Sequence, residues 1–118
     1  KDDNLICANH NRRELDQNPT SHAEILVLEE ASQILGTWRL EDTTIAVTLE
    51  PDAMCAGAIV NARIRKLIYS APNLKAGAAY SLYNIPQDPR LNHHVEIKDN
   101  ILSHESEAIL SSFFDSKR

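Results

Sequence analysis

Long apolar runs, an excess of basic charge and a cysteine framework are all missing from this 118-residue sequence, and each absence removes a class of protein. No stretch approaches the roughly 20 consecutive apolar residues of a membrane-spanning helix, so no membrane association is expected. The opening Lys1-Asp2-Asp3-Asn4 carries neither an initiator methionine nor a basic-then-apolar leader. It reads as a turn between strands, so the chain is expected to begin inside a domain. The only cysteines, Cys7 and Cys55, build no disulfide framework and point to a reducing, cytoplasmic setting. A formal net charge of -5 argues against non-specific polyanion binding, which needs basic groups to release counterions. Basic residues do gather at Arg12 and Arg13, at Arg63, Arg65 and Lys66, and at Lys117 and Arg118. Such clusters read first as solvated faces. With no internal repeat and no low-complexity segment, residues 1–118 are expected to form a single domain.

Several segments have a clear period. Leu5-Ile6-Cys7-Ala8 reads as a short strand and Asn9 to Asn18 as a polar loop. Pro19-Thr20-Ser21 starts a helix running to about Leu35, with Ile25, Leu28, Ala31 and Leu35 as its buried stripe and Gly36 as its stop. Thr44 to Leu49 reads as a well-buried strand. A second helix follows from about Ala53 to Ala62, its Ala56, Gly57 and Ala58 small enough to lie close against a sheet. Lys66 to Ser70 is another strand. Ala71 to Asn92 is a long segment without a regular pattern, a type that in a compact domain is usually functional or disordered. Val95 to Lys98 is a last short strand, and Ser103 caps a terminal amphipathic helix carrying Ile109, Leu110, Phe113 and Phe114. This order predicts an α/β sandwich around a mixed sheet.

The chemistry gathers at the two long helix starts, Pro19-Thr20-Ser21-His22-Ala23-Glu24 and Glu50-Pro51-Asp52-Ala53-Met54-Cys55. Residues three apart share a helix face, so Asp52 and Cys55 can converge on one point. If the two starts meet, His22, Asp52 and Cys55 could hold a zinc ion and leave a fourth position for water. Glu24 would then move protons rather than bind metal. Each residue also has an ordinary structural role. Ser21 to Glu24 spells a capping box, Asp52 is a good helix cap, and a lone cysteine is more often a small apolar residue. His10, His93, His94 and His104 have no ligand-like spacing and read as loop or surface residues.

The segments 18–25, 47–51, 54–59 and 75–79, together with Asn92-His93-His94-Val95-Glu96-Ile97 and Phe113-Phe114, resemble bacterial tRNA-specific adenosine deaminases. The resemblance is collinear and spans nearly the whole chain. It implies the three-layer α/β/α sandwich of the cytidine deaminase-like fold. It also implies zinc-dependent hydrolytic deamination of adenosine to inosine at the wobble position of a tRNA anticodon, on a flipped-out base, by a homodimer. By position His22 and Cys55 match zinc ligands and Glu24 matches the proton shuttle. Asn11 matches an asparagine that hydrogen-bonds the target base, and Ala23 offers its backbone N–H beside that base. Asn73 falls where the family commonly has aspartate. The loop from Asn73 to Ala79, with Arg12, Arg13 and the terminal helix, would lie along the RNA.

Two features depart from the family. Asp52 stands where the family supplies a zinc thiolate. A carboxylate binds zinc at about 2.0–2.2 Å, against about 2.3 Å for sulfur, but it is a harder and differently aimed ligand. Weakened zinc retention is therefore expected, with capping of the helix as the competing role for Asp52. The second departure is that the family's first helix and strand have no counterpart before Lys1. The chain is expected to be an N-terminally incomplete domain, marginal or aggregation-prone in isolation. Two other readings stay open: a zinc-free RNA-binding or dimerisation relative, and a deaminase of free guanine or another nucleobase.

Overall fold

The computed structural model describes residues 1–99. Its elements in chain order are α1 (Arg13–Asp16), α2 (Ala23–Leu35), β1 (Thr44–Leu49), α3 (Ala53–Asn61), β2 (Lys66–Ala71) and β3 (Glu96–Lys98). The strands form one sheet in the order β1-β2-β3, and both pairs run parallel. Ile45 stands opposite Leu67, and Leu67 in turn opposite Ile97. Of the three-layer α/β/α sandwich, these residues supply the sheet and the layer made by α2 and α3, which pack on each other. The helix expected from Ser103, with Phe113, Phe114, Lys117 and Arg118, lies outside the described residues.

Alternation shapes β2. Leu67, Tyr69 and Ala71 are buried while Lys66, Ile68 and Ser70 are only partly so, because successive side chains of a strand point to opposite faces of the sheet. The core joins Leu67 and Tyr69 to Leu28, Leu40, Ile45, Ile59, Val60, Ile64, Ala79 and Val95. Helix α2 turns Leu28 into this core, with Val27, Ala31 and Leu35 packed beside it. Ile25, expected in that stripe, instead lines an outer groove with Glu29, Ser32 and Trp38. Gly36 ends the helix in the left-handed region at φ 71°, its N–H returning to the Ser32 carbonyl, a conformation that suits a residue without Cβ. Just beyond the C-terminal ends of α2 and α3, Trp38 is 58% exposed. The Arg39 and Arg63 guanidinium carbons lie 5.2 and 5.8 Å from its ring centroid.

The strand expected at Leu5–Ala8 does not form. Among the described residues this segment pairs with no strand, and it runs beside a cavity of about 100 Å³ bounded by Val27, Leu40 and Ile45. Of the described strands only β2 therefore neighbours β1. Among its residues Ile45 alone is fully buried, while Thr44, Ala46, Thr48 and Leu49 are exposed, so it is not the well-buried strand its β-branched sequence predicts. The polar stretch after Ala8 likewise holds one short helix, α1, where a loop is expected. None of the described helices is long and apolar enough to cross a membrane.

Candidate metal centre

In a parallel sheet, sites form beyond the carboxyl ends of the strands, where the following helices begin. β1 ends at Leu49, and Glu50-Pro51-Asp52 leads directly into α3. At this point the start of α2 meets the start of α3. His22 is the cap residue of α2, in extended conformation, and its side chain makes no bond to its own helix. Its Nδ1 lies 3.5 Å from Cys55 Sγ and 3.4 Å from Asp52 Oδ2. All three donor atoms fall within 4.8 Å of one another.

These residues fit zinc by donor type and by spacing. Zinc–ligand bonds of about 2.0–2.3 Å in tetrahedral array set neighbouring donors about 3.4–3.6 Å apart, and both distances from His22 match. The fit is that of a nitrogen, a thiol sulfur and a carboxylate oxygen, with Asp52 occupying the place of a second thiolate. Capping and metal facing prove compatible in this residue. Asp52 Oδ1 accepts the Cys55 N–H at 2.9 Å and so caps α3, while Oδ2 is the oxygen turned to His22.

Burial pushes the Cys55 thiol well above the ordinary range. The charges of the Glu24 and Asp52 carboxylates add to this shift. Cys55 is therefore a neutral thiol while no cation is bound, and a metal must displace its proton. Glu24 is in the first turn of α2, where its charge acts on the Cys55 thiol. The capping box predicted from Ser21 and Glu24 is not formed, because His22 takes the cap position and no side chain caps the helix. Ser21 is buried, and its carbonyl accepts the Arg12 N–H at 2.9 Å. That bond ties the segment carrying Asn11 to the start of α2.

The other predicted site residues occupy less committed places. Ala23, the first residue of α2, has one of the backbone N–H groups that a helix start leaves without an intrahelical partner. Asn11 is exposed, and its Oδ1 accepts the Arg13 N–H at 2.9 Å. Asn73 shapes its own loop: Oδ1 accepts the Ala76 N–H at 3.2 Å and its carbonyl accepts the Gly77 N–H at 2.8 Å. Arg12 is paired with Asp16 at 3.1 Å, and Arg63 donates to the Val60 carbonyl as well as covering Trp38. His93 and His94 act as loop residues, their Nε2 atoms donating to the carbonyls of Ile64 and Asp88. Cys7 and Cys55 are both free thiols.

One residue of the site has no counterpart among the predicted ones. Glu50 is 1% exposed and receives the backbone of the segment after β2, with N–H groups of Asn73, Ala79, Tyr80 and Ser81 and the Ser81 hydroxyl all donating to its carboxylate. Burial alone would raise its pKa; the bonds from Ser81, Tyr80 and Asn73 outweigh that and hold it below the ordinary value. The only local signal is a charged residue closing an otherwise apolar strand.

Comparison with known proteins agrees with this geometry. The model of the MafB19-like deaminase family matches residues 1–118. The tRNA-specific adenosine deaminase of Bacillus subtilis is 46% identical over 110 residues, which is 93% of this chain and 68% of that protein. The enzyme of the same name from Streptococcus pyogenes serotype M18 is 46% identical over 114 residues, 97% of this chain and 72% of that protein. Among solved structures, a chain from a study of A-to-I editing by tRNA A34 deaminases at the wobble position superposes with a TM-score of 0.87. It has 38% identity, covering 92% of this chain and 78% of the other. A guanine deaminase from Nitrosomonas europaea shares the fold at a TM-score of 0.71 and 21% identity, covering 89% of this chain and 63% of the other. The chain belongs to the bacterial tRNA-specific adenosine deaminase family of the cytidine deaminase superfamily.

Proposed function

We propose that this chain deaminates adenosine to inosine in a tRNA anticodon loop, as a homodimer, with the chemistry limited by Asp52. The observation that carries this reading is the meeting of His22, Asp52 and Cys55 at two helix starts, with Glu24 in the first turn of one of them. Zinc held by His22, Asp52 and Cys55 would supply a water that is nucleophilic at neutral pH. Glu24 takes the proton of the attacking water and passes protons to the ring nitrogen and the departing ammonia. The Ala23 N–H and Asn11 hold the edge of the flipped-out base. The loop from Asn73 to Ala79 and Arg13 bind along the anticodon backbone, where phosphate contacts position the substrate. The two free thiols suit a reducing compartment.

The replacement at Asp52 favours a second reading, an RNA-binding relative that has lost its zinc. Incubation with zinc and an anticodon stem-loop RNA separates the two. Inosine formation that disappears in Glu24→Ala supports the deaminase. RNA binding without inosine or stoichiometric zinc supports the second. Turnover of free guanine but not of the RNA would replace both with a nucleobase deaminase.

A further inference from the structure

We propose that Glu50 is a positioning residue for the RNA substrate: its carboxylate locks the loop 73–81 against the start of the metal-bearing helix. The inference rests on the deaminase reading above and deepens it. Oε2 of Glu50 accepts three consecutive N–H groups, from Ala79, Tyr80 and Ser81, at 3.0, 2.8 and 2.9 Å. Oε1 accepts the Asn73 N–H at 3.1 Å and the Ser81 hydroxyl at 2.5 Å. Successive N–H groups that converge on one oxygen form an anion-binding concavity. Here the anion is part of the protein. Among the described residues no ion pair involves Glu50, so backbone dipoles and the Ser81 hydroxyl compensate its charge.

The loop also closes onto this carboxylate without slack. A Cβ added at Gly77 would sit 2.4 Å from Glu50 Cδ and Oε2 and 2.5 Å from the Asn73 carbonyl oxygen. Ala78 donates its N–H to the Pro51 carbonyl at 2.8 Å, one residue before Asp52. Both ends of the loop therefore refer to two residues, Glu50 and Pro51, that join β1 to the metal-bearing helix. Lys75 and Tyr80 are exposed on this loop, a cation and an aromatic ring of the types that meet phosphates and unstacked bases. A buried carboxylate is costly unless fully bonded. What it provides here, and an apolar residue could not, is a fixed spacing between the RNA-facing loop and the donor set.

Two variants test this from opposite sides. Glu50→Gln replaces one acceptor oxygen with a donor, and Gly77→Ala displaces the loop without changing any charge. The readouts are amide hydrogen exchange, zinc content after loading, and the affinity of an anticodon stem-loop RNA measured by fluorescence anisotropy. Both variants are expected to speed exchange at Asn73, Ala79, Tyr80 and Ser81 and to weaken RNA binding about tenfold, the scale of one lost charge-assisted bond. Amides of β2 and zinc content should stay as in the parent, and Glu50→Asp should recover part of the RNA affinity. If exchange rises while RNA affinity stays within about twofold of the parent, the loop is not a positioned RNA surface and the proposal is wrong. Zinc loss in step with RNA affinity would also overturn it, since Glu50 would then act through the metal helix. A parent protein that does not bind the RNA at all defeats the deaminase reading itself. Parent binding that both variants retain defeats only the role of Glu50.

Discussion

The starts of α2 and α3 face each other across the site, yet they use their cap residues in opposite ways. His22 caps α2 in position only; its imidazole gives its own helix nothing and turns to Cys55 and Asp52. Asp52 divides itself, one oxygen holding the Cys55 N–H and the other facing His22. A metal donor at a helix start can thus be free of folding duty or share in it. The difference predicts how stability and metal binding separate on mutation.

The largest effect is expected at Asp52 itself. Asp52→Cys restores a soft thiolate donor and should tighten zinc binding by about tenfold or more, with a parallel rise in inosine formation. Equal zinc retention and equal rates in both proteins would show that the carboxylate serves as well as the thiolate. His22→Ala comes next. It should weaken zinc binding by about 100-fold yet leave the metal-free Tm within about 2 °C, because this side chain caps nothing. A large loss of metal-free stability would erase the contrast between the two helix starts.

A finer distinction lies between Asp52→Ala and Asp52→Asn. The alanine removes the cap and should cost about 1 kcal/mol in denaturant unfolding of the metal-free protein. The asparagine keeps an acceptor for the Cys55 N–H and should be close to neutral for stability, while both lose zinc. Equal stability in the two variants would mean that Oδ1 contributes no cap.

The smallest effect belongs to an ion pair far from either helix start. The bonds from Arg90 hold the Asp88 carboxyl down to about 2. Because that is below its unfolded value, its contribution is present above about pH 4 and fades as the pH falls towards the folded value. Arg90 is almost fully exposed, so Arg90→Ala should leave the neutral-pH Tm at high salt unchanged. A clear Tm change there would place this loop among the stabilising parts of the fold.

Local pattern was enough to find α2, α3 and β2, because a period of 3.6 or 2 is written in neighbouring residues. It failed at Leu5–Ala8, where strand composition is present but a strand exists only if a partner supplies its ladder. It misplaced the cap of α2 as well. Ser21 has the right chemistry, yet its burial and the Arg12 bond to its carbonyl leave the cap position to His22. The donor set was legible because family spacing survives even with Asp52 substituted. Glu50 was not, since its partners lie 23 to 31 residues further along the chain and no local rule marks a carboxylate that distant N–H groups and a hydroxyl will satisfy.

Trp38 has a practical consequence. It is the only tryptophan in the chain, set between Arg39 and Arg63 beyond the far ends of α2 and α3. Its indole shares a groove with Ile25 and Ser32 of α2 and with Ala58 and Asn61 of α3, so it senses the packing of one helix on the other. Its intrinsic fluorescence is therefore a built-in optical reporter that separation of the two helices should change. Unfolding of the metal-free and the zinc-loaded protein can be followed without adding a label.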